Sequence, residues 1–96
     1  MNNVSFDFAK IADVDDFYRQ FAHKFALGEQ FGGNLDALWD ALTGMVELPL
    51  RLTFRHLAQH ADAAQFEPVI AVMREAEQEL AGKFSLRVRQ APLPAG

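Results

Sequence analysis

Residues 31–54 read FGGNLDALWDALTGMVELPLRLTF, and a helical period gives way to an extended one within them. Asn34 is suited to cap a helix, and Leu35, Leu38, Trp39 and Leu42 then recur at i, i+3, i+4 and i+7. All four are expected to be buried, because they share one helical face. Gly44 ends this helix, and Pro49 opens a short apolar strand over Leu50–Phe54. A helix that leads into a strand points to crossover connections, so the rest of the chain decides whether the strands run parallel.

Upstream, Val4, Phe6 and Phe8 alternate with Ser5 and Asp7, a strand signal. Asp13 is placed to cap a helix, with Asp16 at the third helical position as in a capping box. Val14, Phe17, Tyr18, Phe21 and Phe25 form its apolar stripe, and Gly28 stops it. Downstream, residues 54–60 read as a brief helix, and Pro68 fits the first turn of a longer one. Val69, Val72, Met73, Ala76 and Leu80 supply the buried face of that helix, and Gly82 closes it. Phe84, Leu86 and Val88 alternate with Ser85, Arg87 and Arg89 to give a last strand. Helices between successive strands favour parallel pairing with right-handed crossovers. The expected fold class is α/β: a small two-layer domain, a three-stranded parallel sheet packed against helices, with the middle position assigned to Leu50–Phe54. One face of that sheet is then less well covered, in keeping with the polar alternation of the outer strands. The whole chain, 1–96, reads as one domain with a loose tail over 91–96.

Composition limits the function. The chain has 96 residues, a formal net charge of −4, nine phenylalanines and no cysteine, and half of it is apolar. A core is affordable, while disulfide, thiolate and cysteine-based zinc chemistry are excluded. No signal peptide or membrane-spanning run is visible, so a cytoplasmic location is expected. The negative charge disfavours unspecific nucleic-acid binding and suits a basic protein partner.

Candidate chemistry is sparse. Asp36 and Asp40 lie one turn apart on the second helix and are the best pair for acid and base work, as in a small hydrolase. The alternatives are a solvated helix face or a protein-binding surface, and no cleft is evident around a pair on a convex helix. His56 and His60 have the i, i+4 spacing of metal ligands but lack a zincin's glutamate, so surface or capping roles are favoured. Gly32-Gly33 precedes a helix without the spacing of a phosphate loop, and reads as a tight turn. Arg87 and Arg89 share a strand face, which leaves an RNA-binding or structural role open, without the interleaved aromatics of a stacking platform. Trp39 reads first as core with an edge that can reach the surface, and Met45 as either an adaptable contact or a loop anchor. No metal or cofactor is expected.

Charge is the most telling regional feature. No lysine or arginine occurs from Phe25 to Leu50, whereas Glu29, Asp36, Asp40 and Glu47 all fall there. A single-sign patch beside glycine turns and a large aromatic reads as a docking face, over Gln30 to Glu47, for a cationic protein.

The run Phe31 to Gly44, with Glu47 and Pro49 after it, resembles the barstar family strongly, and Met73-Arg74-Glu75-Ala76 is similar to that family's final helix. The resemblance covers nearly the whole chain in element order. It implies a barstar-like fold and an intracellular inhibitor, monomeric when free, that plugs the active site of a secreted-type ribonuclease. It implies that the second helix and the loop before it enter the enzyme's cleft. Asp40 then matches the aspartate that occupies a phosphate site, and Asp36 a neighbouring carboxylate contact. Asn34, Leu35, Trp39, Thr43 and Gly44 match the same docking region, and Glu75 an interface edge. The chain departs from the family pattern at Gln30 and Met45, where that pattern has a tyrosine and a tryptophan, and at Gly33, which replaces a glutamate.

Overall fold

The computed structural model describes residues 2–28 and 31–89. The strands are β1 (Asn2–Asp7), β2 (Leu50–Arg55) and β3 (Phe84–Arg89), and the helices are α1 (Val14–Lys24), α2 (Leu35–Gly44) and α3 (Glu67–Glu79). Strand β2 lies between β1 and β3 and is parallel to both, with Leu52 opposite Val4 on one side and Leu86 on the other. The parallel α/β architecture and the central place of the Leu50 strand are therefore as the sequence predicts.

Strand β1 ends one residue short of the expected stretch. Phe8 begins a 3-10 turn, which the Asp7 carboxylate caps by accepting from the Ala9 amide at 3.0 Å. Phe8 is still buried. Asp13 caps α1 by accepting from the Asp16 amide at 2.8 Å. The Asp16 carboxylate reaches back one residue further than a capping box requires, to the Ala12 amide at 2.9 Å. Helix α1 ends at Lys24 rather than at Gly28, because Ala26 already adopts the left-handed conformation, with φ 53°. The brief helix expected over residues 54–60 is only a 3-10 turn at 57–59, since Phe54 and Arg55 still belong to β2, and a second 3-10 turn follows at 63–66.

All three helices feed one hydrophobic core on one face of the sheet. Phe6, Phe8, Phe17, Phe21, Phe54 and Phe66 are fully buried or nearly so. Their rings meet at centroid distances such as 4.8 Å for Phe8–Phe54 and 5.1 Å for Phe6–Phe17, close enough for tilted aromatic contact. Val69, Met73 and Ala76 bring α3 onto this core, with Val72 and Leu80 only partly buried. Arg74 then ties α3 to β3 by donating to the Leu86 carbonyl at 2.9 Å, and Glu77 accepts from the Leu86 amide at 2.8 Å. No helix among the described residues is long and apolar enough to cross a membrane.

Candidate acidic interface on the second helix

Helix α2 starts where Asn34, in an extended conformation, accepts from the Ala37 amide at 2.8 Å. The chain enters that cap through Gly33, whose φ of 66° is costly for any residue with a Cβ. Phe31 anchors the preceding loop by packing on Phe21 and Tyr18, with ring centroids 5.4 and 5.9 Å apart. Burial raises the Tyr18 phenol above its ordinary value, assisted by the nearby Asp15 charge, so the ring stays neutral at this junction. Nothing in the sequence patterning marks Phe31 as this anchor beyond its being a large apolar residue in a glycine-rich turn.

Leu38, Ala41 and Leu42 hold the inner face of α2 in the core. Leu35 does not join them, contrary to expectation, and is 37% exposed. It is the first residue of the helix, its side chain leans toward the N-terminus, and Gly32 and Gly33 have no side chains to cover it. Trp39 is half-buried, packed against the core with part of its surface open. The Thr43 hydroxyl donates back to the Trp39 carbonyl at 2.8 Å, a local bond within the helix. The helix runs through Gly44 and is closed by Met45, whose amide donates to Ala41 at 3.0 Å. Met45 is 53% exposed, so its side chain does not anchor the loop to the core.

Asn34, Asp36, Asp40, Gly44 and Glu47 are exposed, and Thr43 is half-buried. Asp36, Asp40 and Glu47 form no ion pair among the described residues. Between Asn34 and Glu47 the exposed carboxylates Asp36, Asp40 and Glu47 are thus accompanied by the exposed Leu35 and Met45 and the half-buried Trp39. Glu75 is exposed on α3, the helix packed against α2. Gln30 and Glu29 lie outside the described residues, as does the tail over 91–96.

The alternative chemistries fare differently. Two troughs, of about 470 and 500 Å³, are lined by residues such as Asn2, Lys24 and Val46 in one and Tyr18, Arg19 and Gly32 in the other, and neither aspartate lines either. His60 is occupied at both ring nitrogens: Nε2 meets the Ile11 carbonyl at 2.8 Å, and Nδ1 accepts from the Asp62 amide at 2.9 Å. His56 pairs with Asp7 at 2.9 Å. Both histidines thus serve loop structure, although His56 makes no side-chain cap bond and reaches across to Asp7 instead.

The sequence matches known proteins over nearly the whole chain. The family model for "Barstar (barnase inhibitor)" matches residues 1–90. A protein of Bacillus subtilis (strain 168), named "Putative ribonuclease inhibitor YrdF", is 31% identical over 93 residues, which is 90% of this chain and 97% of the relative. This chain belongs to the barstar family of non-catalytic binding proteins.

Proposed function

We propose that this protein inhibits a ribonuclease by laying α2 over the enzyme's active site, with the Asp40 carboxylate standing where a substrate phosphate would bind. The observation that carries this reading is the exposed row of Asp36, Asp40 and Glu47, without an ion pair among the described residues, beside Trp39, Leu35 and Met45. A ribonuclease cleft is lined with cationic groups that hold phosphate, and a carboxylate offers the same partners two anionic oxygens. The adjoining apolar groups supply the desolvated contacts that a purely charged patch lacks. Family membership and the name of the Bacillus relative support the ribonuclease as target class. Asn34, Thr43, Gly44, Gln30 and Glu75 complete the proposed contact surface around that centre. The free protein acts as a cytoplasmic monomer in this reading. The family's tyrosine and tryptophan positions are Gln30 and Met45 here, so the two aromatic anchors of the family pattern are replaced and the contacts made at those positions differ in this protein.

The test is titration of the purified protein into RNA-cleavage assays with a panel of small cationic ribonucleases. At least one enzyme should lose activity stoichiometrically, and Asp40→Ala should restore it. A panel in which every ribonuclease is unaffected at micromolar protein rejects the reading.

A further inference from the structure

The face of the sheet turned away from the helices is cationic. Strand β2 alternates Leu50, Leu52 and Phe54, all buried, with Arg51, Thr53 and Arg55 on the opposite side. Asn3 and Ser5 from β1 and Arg87 and Arg89 from β3 join them around a shallow trough of about 400 Å³. The parallel register places Arg55 directly beside Arg89, Arg51 beside Ser85, and Thr53 beside Arg87.

Two features separate this face from an ordinary solvated one. Like charges directly opposite on neighbouring strands destabilise a sheet, and Arg55 and Arg89 are such a pair. In addition, none of the four arginines forms a salt bridge or a side-chain hydrogen bond among the described residues, and the Arg51 Nε is shielded from solvent without an acceptor. The neighbouring carboxylate, Asp7, is the register partner of Arg55, but His56 and the Ala9 amide engage it. Among the described residues none of the four guanidiniums is ion-paired, and the single carboxylate of the face, Asp7, lies beside Arg55 alone, so the face as a whole is open to an anion from outside.

From this we infer that the open sheet face binds the phosphodiester backbone of a single-stranded nucleic acid, a surface separate from α2. The guanidinium fork matches phosphate oxygens, and Asn3, Ser5, Thr53 and Ser85 add neutral hydrogen-bonding groups between the charges. The face spans roughly 13 Å along the strands and about 10 Å across them, room for a few phosphates of a flexible strand rather than for a duplex. Among the described residues no aromatic side chain lines the trough, so contact is with the backbone and indifferent to base sequence. The overall charge of −4 opposes long-range attraction, so binding is confined to low salt. This surface owes nothing to the inhibitor reading and stands or falls apart from it.

Fluorescence anisotropy of a labelled twelve-nucleotide oligouridylate tests the inference in a salt titration from 25 to 200 mM. Four phosphate contacts give a slope of about −2.8 in log affinity against log salt, at about −0.7 per contact for single strands. The Arg55→Gln/Arg89→Gln variant should bind more weakly with a slope smaller by about 1.4, while its Tm does not fall, since a like-charge pair has been removed. Asp36→Asn/Asp40→Asn should bind at least as well as the parent. No binding at 25 mM salt overturns the inference, as does an unchanged slope in the arginine variant. Concentration-dependent self-association that Asp40→Asn abolishes and oligouridylate does not compete with also overturns it, by assigning the face to the acidic helix of a second copy.

Discussion

The Nδ1 of His56 lies 2.9 Å from the Asp7 carboxylate, joining the residue just past β2 to the last residue of β1. His56 sits in a left-handed turn with φ 63°, so the contact fixes where the chain leaves the central strand. The hydrogen bond from His56 holds the Asp7 carboxyl below its ordinary value of 3.8, and the Ala9 amide adds to the effect. A carboxyl depressed on folding contributes stability that is fully present above its unfolded value and is lost as the pH falls through the folded one. Asp7→Asn keeps a side chain able to cap the 3-10 turn but removes the titration. Its thermal unfolding should depend less steeply on pH below about pH 4 than the parent's does. Some acid sensitivity should persist, because Asp16 is also depressed, chiefly by the Ala12 amide and further by Arg19. An acid limb identical to the parent's between pH 4 and pH 2 would remove Asp7 from this role.

Leu38 and Leu35 separate stability from surface on one helix. Leu38 is fully buried, and Leu38→Ala should cost about 2–5 kcal/mol through lost burial and a cavity. Leu35 is 37% exposed, and Leu35→Ala should cost under about 1 kcal/mol. Urea denaturation of both variants decides the matter, and equal losses would mean that both side chains lie in the core.

That contrast also marks where periodicity stops being informative. The spacing of Leu35, Leu38, Trp39 and Leu42 identifies a helix and its inner face, and Leu38 and Leu42 are buried as expected. Periodicity carries no record of where the neighbouring layers end, so the exposure of Leu35 was not legible. The three strands and their parallel order were legible, because the apolar alternation of β1 and β3 flanks helical segments whose length forces crossovers. The end of α1 is not legible from Gly28, because glycine is only the commonest residue in a left-handed cap, and Ala26 takes that conformation here. The arginine face was half visible: Arg87 and Arg89 stand out in the last strand, but Arg51 and Arg55 join them only through the register.

Asn34 supplies an independent check on the local origin of α2. Its carboxamide oxygen satisfies the Ala37 amide at 2.8 Å, so Asn34→Ala leaves that donor to water. The variant should lose about 0.5–2 kcal/mol, whereas Asn34→Asp, which caps equally well, should lose little. Chemical denaturation giving the same loss for both would show that the side chain is needed for something other than the cap.

Asp40 and Glu47 should divide the kinetics of binding to the target ribonuclease between them. Both are exposed and free of ion pairs among the described residues, but their settings differ. Asp40 stands on the rigid helix next to Trp39, where a partner would exclude water, while Glu47 follows the helix in the loop before β2. Removing a carboxylate at a desolvated centre leaves the partner's cations buried and unpaired. Asp40→Ala should therefore raise the dissociation rate, by an amount corresponding to about 2–5 kcal/mol, a range that rests partly on the family's own namesake complex. A carboxylate at the rim acts on the approach instead, through a field that salt screens beyond about 10 Å at 0.1 M ionic strength. Glu47→Ala should accordingly slow association at low salt and leave dissociation nearly unchanged. Surface plasmon resonance at two salt concentrations, with one ribonuclease and the two variants, distinguishes these behaviours. If Asp40→Ala changes dissociation no more than Glu47→Ala does, the phosphate-surrogate role passes from Asp40 to another carboxylate, and Asp36, one turn earlier on the same helix, is the next to substitute.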